Sequence, residues 1–158
     1  MKKCVFAGSF DPPTLGHKKI VEDCLAIFDE VVVALLVNPD KTPTFSLEQR
    51  KEMLSLTFGE NPRVKIVSFE GLAGDLLKKE GTDFYVRGIR NSADFAYETS
   101  TIYATKSLYP EIKPFFIPCG QDYLHISSSV CRTLLAFSKS LKGYVTDEVE
   151  EYIERIKK

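Results

Sequence analysis

The stretch Cys4-Val5-Phe6-Ala7-Gly8-Ser9-Phe10-Asp11-Pro12-Pro13-Thr14-Leu15-Gly16-His17 decides the fold. Its first four residues are a short apolar run of the kind that forms a buried strand. The residues after it, Ile20, Val21, Cys24, Leu25 and Phe28, repeat at helical spacing. Small residues and prolines in between read as a turn from strand to helix, with His17 near the first helical turn. Helix N-termini expose unpaired N–H groups and the positive end of the helix dipole, and both favour phosphate.

Working outward, the same alternation runs through the chain. Strands are expected at 4–7, 30–37, 64–69, 83–87 and 114–118, all short and rich in Val, Ile, Phe or Tyr. Helices are expected at 47–58, 72–79, 93–108, 130–137 and 147–158. Ser46 with Gln49 forms a capping box for the first of these. Leu72, Leu76 and Leu77 share a face of the second, and Phe95, Ile102 and Tyr103 punctuate the third. Thr146 caps the last, whose apolar stripe is Val149, Tyr152, Ile153 and Ile156. The order β-α-β-α-β-α-β-α-β-α-α implies an α/β fold: a Rossmann-like, doubly wound parallel five-stranded sheet with flanking helices and a C-terminal helix. No repeat, low-complexity segment or linker divides it, so residues 1–158 read as a single domain.

Composition narrows the function. A formal net charge of −1 supplies no global field for nucleic acid or an anionic membrane, so any anion must be bound locally. The apolar run Val31-Val32-Val33-Ala34-Leu35-Leu36-Val37 is far short of the ~20 residues that span a bilayer. Lys2-Lys3 and the apolar residues after them are cut off at Gly8 before a signal-peptide core develops, and a cytoplasmic location is expected. Cys4, Cys24, Cys119 and Cys131 contain no Cys-x-x-Cys pair and read as small hydrophobes in a reducing compartment.

Four polar clusters each follow a predicted strand, at the end where open α/β sheets bind ligands. They are Ser9 to His17; Asn38-Pro39-Asp40-Lys41-Thr42-Pro43; Arg87-Gly88-Ile89-Arg90 with Asp94 and Glu98; and Gln121 to Ser129. In the common strand order 3-2-1-4-5, strands one and four meet at the switch point, which puts His17 and Arg87/Arg90 on one crevice. His17 alone could be an exposed helix-start residue. Within Thr14-x-Gly16-His17, facing a crevice and a helix dipole, a charged imidazole is disfavoured, and we expect a neutral donor. Arg87 and Arg90 could be ion-pair partners of Asp94 or Glu98, but guanidinium groups at a strand end beside Gly88 also suit bidentate phosphate recognition. Lys41 on its own is a solvated lysine, and His125 an incidental loop residue. One serine suffices to cap a helix, whereas Ser127-Ser128-Ser129 offers hydroxyls and N–H groups for a polyphosphate. P-loop, Gly-x-Gly-x-x-Gly and Gly-x-Ser-x-Gly motifs are absent.

Gly-Ser-Phe-Asp-Pro-x-Thr-x-Gly-His with a later Ile-Ser-Ser-Ser resembles the nucleotidyltransferase superfamily that carries TxGH and ISSS motifs. The block Arg87-Gly88-Ile89-Arg90-x-x-Ala93-Asp94-Phe95-x-Tyr97-Glu98, together with Lys41-x-Pro43, is similar to the phosphopantetheine adenylyltransferase family. The resemblance covers essentially the whole chain. It implies adenylyl transfer from ATP to 4′-phosphopantetheine, in line and without a covalent enzyme intermediate. The products are 3′-dephospho-coenzyme A and pyrophosphate, and this is the penultimate step of coenzyme A synthesis.

The same resemblance implies Mg²⁺ held mainly by the ATP phosphates, a cytoplasmic homohexamer built as a dimer of trimers, and feedback by coenzyme A. By correspondence His17 donates to the α-phosphate in the transition state. Lys41 binds the acceptor phosphate, and Arg87 holds the phosphopantetheine side. Ser9 contacts the acceptor and ATP, and Phe10 offers backbone contacts to ATP. Gly88, Ile89, Arg90 and Glu98 line the nucleotide, and Tyr123, Leu124, His125, Ile126, Ser127, Ser128 and Ser129 wrap its ribose and phosphates. Ala73 lines the pantetheine arm. The chain departs from the family pattern at Pro13, at Tyr123-Leu124-His125 and in the single lysine of Lys41-Thr42-Pro43. Two other readings of the same residues are a related adenylyl- or cytidylyltransferase with another phosphate acceptor, and a non-catalytic nucleotide or coenzyme A sensor.

Overall fold

The computed structural model describes residues 1–157. Strands β1 (Lys3–Gly8), β2 (Glu30–Val37), β3 (Val64–Glu70), β4 (Phe84–Ile89) and β5 (Lys113–Pro118) form one parallel sheet in the order β3-β2-β1-β4-β5. This is the expected order, with the switch point between β1 and β4. Helices α1 (Leu15–Leu25), α2 (Leu47–Phe58), α3 (Ala73–Glu80), α4 (Ser92–Leu108), α5 (Ser128–Ala136) and α6 (Asp147–Ile156) follow the strands, and a single 3-10 turn at Gln121–Tyr123 precedes α5. Lys158, the expected end of the last helix, lies outside the described residues.

Alternate residues of each strand serve opposite faces, so the central strands are apolar throughout. Phe6, Val31, Val33, Leu35 and Val86 pack with Ile20, Val21, Cys24 and Leu54 under α1 and α2. Val5, Ala7, Val32, Ala34 and Tyr85 pack with Leu76, Leu77, Ile102 and Tyr109 under α3 and α4. A third cluster joins Phe45 and Met53 to Cys131, Leu141, Val149 and Ile153, which seats α5 and α6 against α2.

Three expectations shift. Leu72 is the N-cap of α3 and is exposed, so only Leu76 and Leu77 of that trio enter the core. Of the apolar residues of α4, Ile102 is buried, while Phe95 and Tyr103 lie on the surface. The serine run starts its helix earlier than expected, because Ser127 is the cap and Ser128 already belongs to α5. Among the described residues no helix is long and apolar enough to cross a membrane.

Candidate active site

The turn after β1 is built by capping chemistry. Thr14 is the N-cap of α1, and its hydroxyl accepts from the backbone N–H of His17 at 3.3 Å. In return His17 Nδ1 accepts from the Thr14 backbone N–H at 2.9 Å. This is a capping box in which histidine stands where glutamate or glutamine usually does. It also assigns the tautomer: with Nδ1 accepting, the neutral ring carries its proton on Nε2, on the far side from Thr14.

Phe10 packs edge-on against the imidazole at 4.8 Å and against Phe6 at 5.5 Å. Phe10 itself sits at φ 45°, a left-handed conformation that is a true outlier for a bulky side chain and is held here by burial. Burial, followed by the positive charges of Arg87 and then Arg90, lowers the His17 pKa from 6.5 to about 4. The ring is thus neutral at physiological pH, as the sequence suggests.

The second side of the site comes from β4 and α4. Arg87 lies at the C-terminal end of β4 and makes a bidentate pair with Glu98, Nε to Oε2 at 2.9 Å and Nη2 to Oε1 at 2.8 Å. Its Nη1 donates to the Ala7 carbonyl at 2.6 Å, which ties β4 to β1 at the switch point. Arg90 donates through its backbone N–H and Nε to Asp94, both at 3.0 Å. Both arginines are therefore ion-paired and also face the crevice. Pairing fixes each guanidinium plane and still leaves N–H groups for a ligand.

His17, Arg87 and Arg90 line one crevice of about 300 Å³, closed by Gly8, Phe10, Gly16 and Gly88 and by Ile126 to Ser129 at the start of α5. A methyl added at Gly16 would meet only the Thr14 hydroxyl, at 3.4 Å, so the space above this residue opens into the crevice. Gly88 serves packing as well, since Ile20 lies 3.3 Å from where its Cβ would be. Asp94, Glu98 and the half-buried Cys119 also line it.

Lys41 and Ser9 are elsewhere. They line a second cavity of about 520 Å³ on the other side of the Gly8–Phe10 turn, bordered by the loop after β2. Ile89, Tyr123, Leu124, His125 and Ala73 line neither space. Leu124 and His125 are exposed, with the His125 ring against Tyr144, and Ala73 starts α3 over the second core cluster.

Sequence reasoning missed the residues that hold this arrangement. Asp11, 6% exposed, accepts from the N–H groups of Thr44 at 2.8 Å and Phe45 at 2.9 Å. Arg50, 5% exposed, donates to the carbonyls of Ser9 and Phe45, both at 3.0 Å. These two side chains latch the turn after β1 to the loop after β2. Arg132 and Ser128 of α5 donate to the carbonyls of Asp11 at 2.8 Å and Pro12 at 2.7 Å. The signal available was Asp11 within the turn motif, but its partners are backbone amides that no side-chain pattern reveals.

Residues 5–134 match the cytidylyltransferase-like family. A Dictyoglomus turgidum phosphopantetheine adenylyltransferase is 42% identical to the chain over 151 residues, covering 96% of it and 94% of the relative. The Clostridium tetani protein of the same description is 39% identical over 153 residues, 97% of this chain and 96% of the other. A solved Vibrio parahaemolyticus chain, provisionally assigned as a nicotinate-nucleotide adenylyltransferase, superposes with a TM-score of 0.75 at 21% identity, covering 98% and 93% of the two chains. That likeness supports the fold alone.

Proposed function

The chain belongs to the phosphopantetheine adenylyltransferase family, and from that premise we propose how its two-sided crevice transfers the adenylyl group of ATP to 4′-phosphopantetheine. In the reaction an oxygen of the acceptor phosphate attacks the α-phosphorus of ATP. The bond from that phosphorus to the bridging oxygen breaks, and pyrophosphate leaves with the electron pair. A phosphate monoester is largely dianionic above its second pKa of ~6, so no general base is required. The barrier lies in bringing anions together and in stabilising charge on the α-phosphate, which is a task for fixed donors.

The observation that carries this reading is the hydrogen bond from the Thr14 backbone N–H to His17 Nδ1, from which the tautomer follows. An imidazole whose Nδ1 is occupied by Thr14 and whose pKa is near 4 is a poor base and a fixed Nε2–H donor. We assign it to the α-phosphate. Arg87 and Arg90 stand across the crevice as anion partners, and Gly88, Glu98 and Ile126 to Ser129 border the nucleotide. Lys41 and Ser9 in the adjoining cavity take the acceptor phosphate.

Mg²⁺ would neutralise phosphate charge during the transfer. Among the described residues no three His, Cys, Asp or Glu side chains cluster as a metal site, and Asp94 and Glu98 are engaged by arginines. Phosphate oxygens of ATP as its main ligands fit that donor set. A cytoplasmic homohexamer under coenzyme A feedback is the assembly we propose by analogy with the family.

Incubation with ATP, Mg²⁺ and 4′-phosphopantetheine tests the reading. Pyrophosphate and dephospho-coenzyme A are expected in equal amounts. Folded protein that binds ATP but releases no pyrophosphate with this acceptor overturns it.

A further inference from the structure

The second cavity has an unusual balance of charge. Lys41, Arg50 and Arg132 all line it, and Asp11 is its one carboxylate. Asp11 is already committed to the N–H groups of Thr44 and Phe45. Among the described residues none of the three cations forms an ion pair. In the first crevice, by contrast, each arginine has its own carboxylate.

Arg50 is the telling member. It is almost fully buried, and a buried guanidinium without a counter-anion is costly unless hydrogen bonds compensate it. Its Nε and Nη1 find backbone carbonyls, while its Nη2 has no partner among the described residues. Arg132 likewise spends only Nη1, on the Asp11 carbonyl. Two guanidinium groups with unspent N–H donors and one lysine ammonium therefore face one space, in a chain whose net charge is −1.

We propose that Arg50 and Arg132 join Lys41 in a phosphate seat in this cavity, adding two substrate contacts to those the motifs indicate. The inference rests on the adenylyl-transfer reading for its two sources of phosphate, the acceptor monoester and the departing pyrophosphate. Arg50, pinned to both bordering loops, is the fixed floor of the seat. Arg132 reaches in from α5, and Lys41 closes from the exposed loop. Ser9 of this cavity lies in the turn whose neighbours Gly8 and Phe10 line the first crevice, so this one turn stands between a phosphate seated there and the transfer site.

Calorimetric titration of the full chain with pyrophosphate, 4′-phosphopantetheine and ATP tests the seat for wild type, Arg132→Gln and Arg50→Lys. Replacing a charge-assisted phosphate contact should weaken one of the first two ligands by about tenfold or more. A loss confined to 4′-phosphopantetheine identifies the acceptor phosphate, and a loss confined to pyrophosphate identifies the leaving group. Unphosphorylated pantetheine is the control, and its affinity should not change in either variant. The thermal midpoint of Arg132→Gln should stay near wild type, since it removes a single hydrogen bond from a half-buried side chain to the Asp11 carbonyl, and this variant serves if Arg50→Lys misfolds. Unchanged affinity for both phosphate ligands in Arg132→Gln overturns the seat. Because these are binding measurements, they stay informative if the wild type fails to turn over, an outcome that would count against the activity and not against the seat.

Discussion

His17 does two tasks that different substitutions separate. Its Nδ1 completes the cap of α1, and its Nε2–H is the donor assigned to the α-phosphate. Glutamine at the same position can restore the capping box, because it is a preferred partner there, but it does not place a donor where the imidazole does. His17→Gln should therefore keep the wild-type thermal midpoint while kcat falls by ~10²–10³, the usual cost of one preorganised donor. Stopped-flow or coupled pyrophosphate assays would measure it, and a rate close to wild type would remove His17 from the mechanism. The lowered pKa adds a pH prediction. The folded ring takes a proton near pH 4 and the unfolded one near 6.5, so the unfolded state binds more protons between these values. Stability from this residue is complete above pH 6.5 and declines as pH falls towards 4. Over the same window kcat should show no titration of a normal histidine, and a decline below pH ~6 should follow the acceptor phosphate. A kcat profile with an inflection near 6.5 that vanishes in His17→Gln would contradict a neutral donor.

At the scale of elements, short loops at the C-terminal strand ends are fixed by caps and latches. Thr14→Ala removes the N-cap hydroxyl of α1 and should cost ~1 kcal/mol of stability. It should also lower kcat, because the hydroxyl lies 3.2 Å from His17 Nδ1 and its loss leaves that nitrogen held by the backbone N–H alone; urea unfolding and steady-state rates read the two effects separately. On the opposite face, α3 approaches Tyr109 so closely that a methyl on Gly74 would overlap the phenol ring. Tyr109 cannot easily yield, being buried and donating to Asp75 at 2.8 Å. Gly74→Ala should therefore destabilise the fold by ~1–3 kcal/mol with kcat at low temperature preserved. The alternation of Val-rich strands with capped helices was legible in the sequence, and so were the switch point and the meeting of His17 with Arg87 and Arg90. Leu72, Phe95 and Tyr103 were not, because periodicity locates an apolar residue on a helix but not the partner that covers it. From the residues alone Lys41 reads as a solvated lysine and only the family resemblance gives it a role; the cavity it lines was not legible, since loop geometry is set by Asp11 and Arg50 through backbone groups.

Across the whole molecule, the site depends on chain segments far from its motifs. The family match ends at residue 134, yet the remaining segment closes the third core cluster and reaches back to the active turn. The Leu15 N–H, one of the N–H groups at the start of α1, donates to the Tyr144 carbonyl at 2.9 Å. Val149 and Ile153 of α6 are buried against the cluster that includes Met53 and Phe45, and Phe45 is also gripped by Asp11 and Arg50. A cavity opened under α6 is thus one residue layer from the latch between the two cavities. Ile153→Ala should cost ~2–5 kcal/mol, the usual range for a buried Ile truncated in a well-packed core. Urea titration should show a lower midpoint with an unchanged slope, as expected when stability falls and the exposed surface does not. At low temperature, where the variant remains folded, ATP affinity should fall less than acceptor affinity, because β1, β4 and α1 pack in the other clusters and only the α5 side of the crevice rests on this one. The acceptor KM should rise before unfolding begins, because Phe45 borders the Lys41 loop. Parallel loss of ATP affinity and acceptor affinity would instead mean that α6 supports both halves of the site equally.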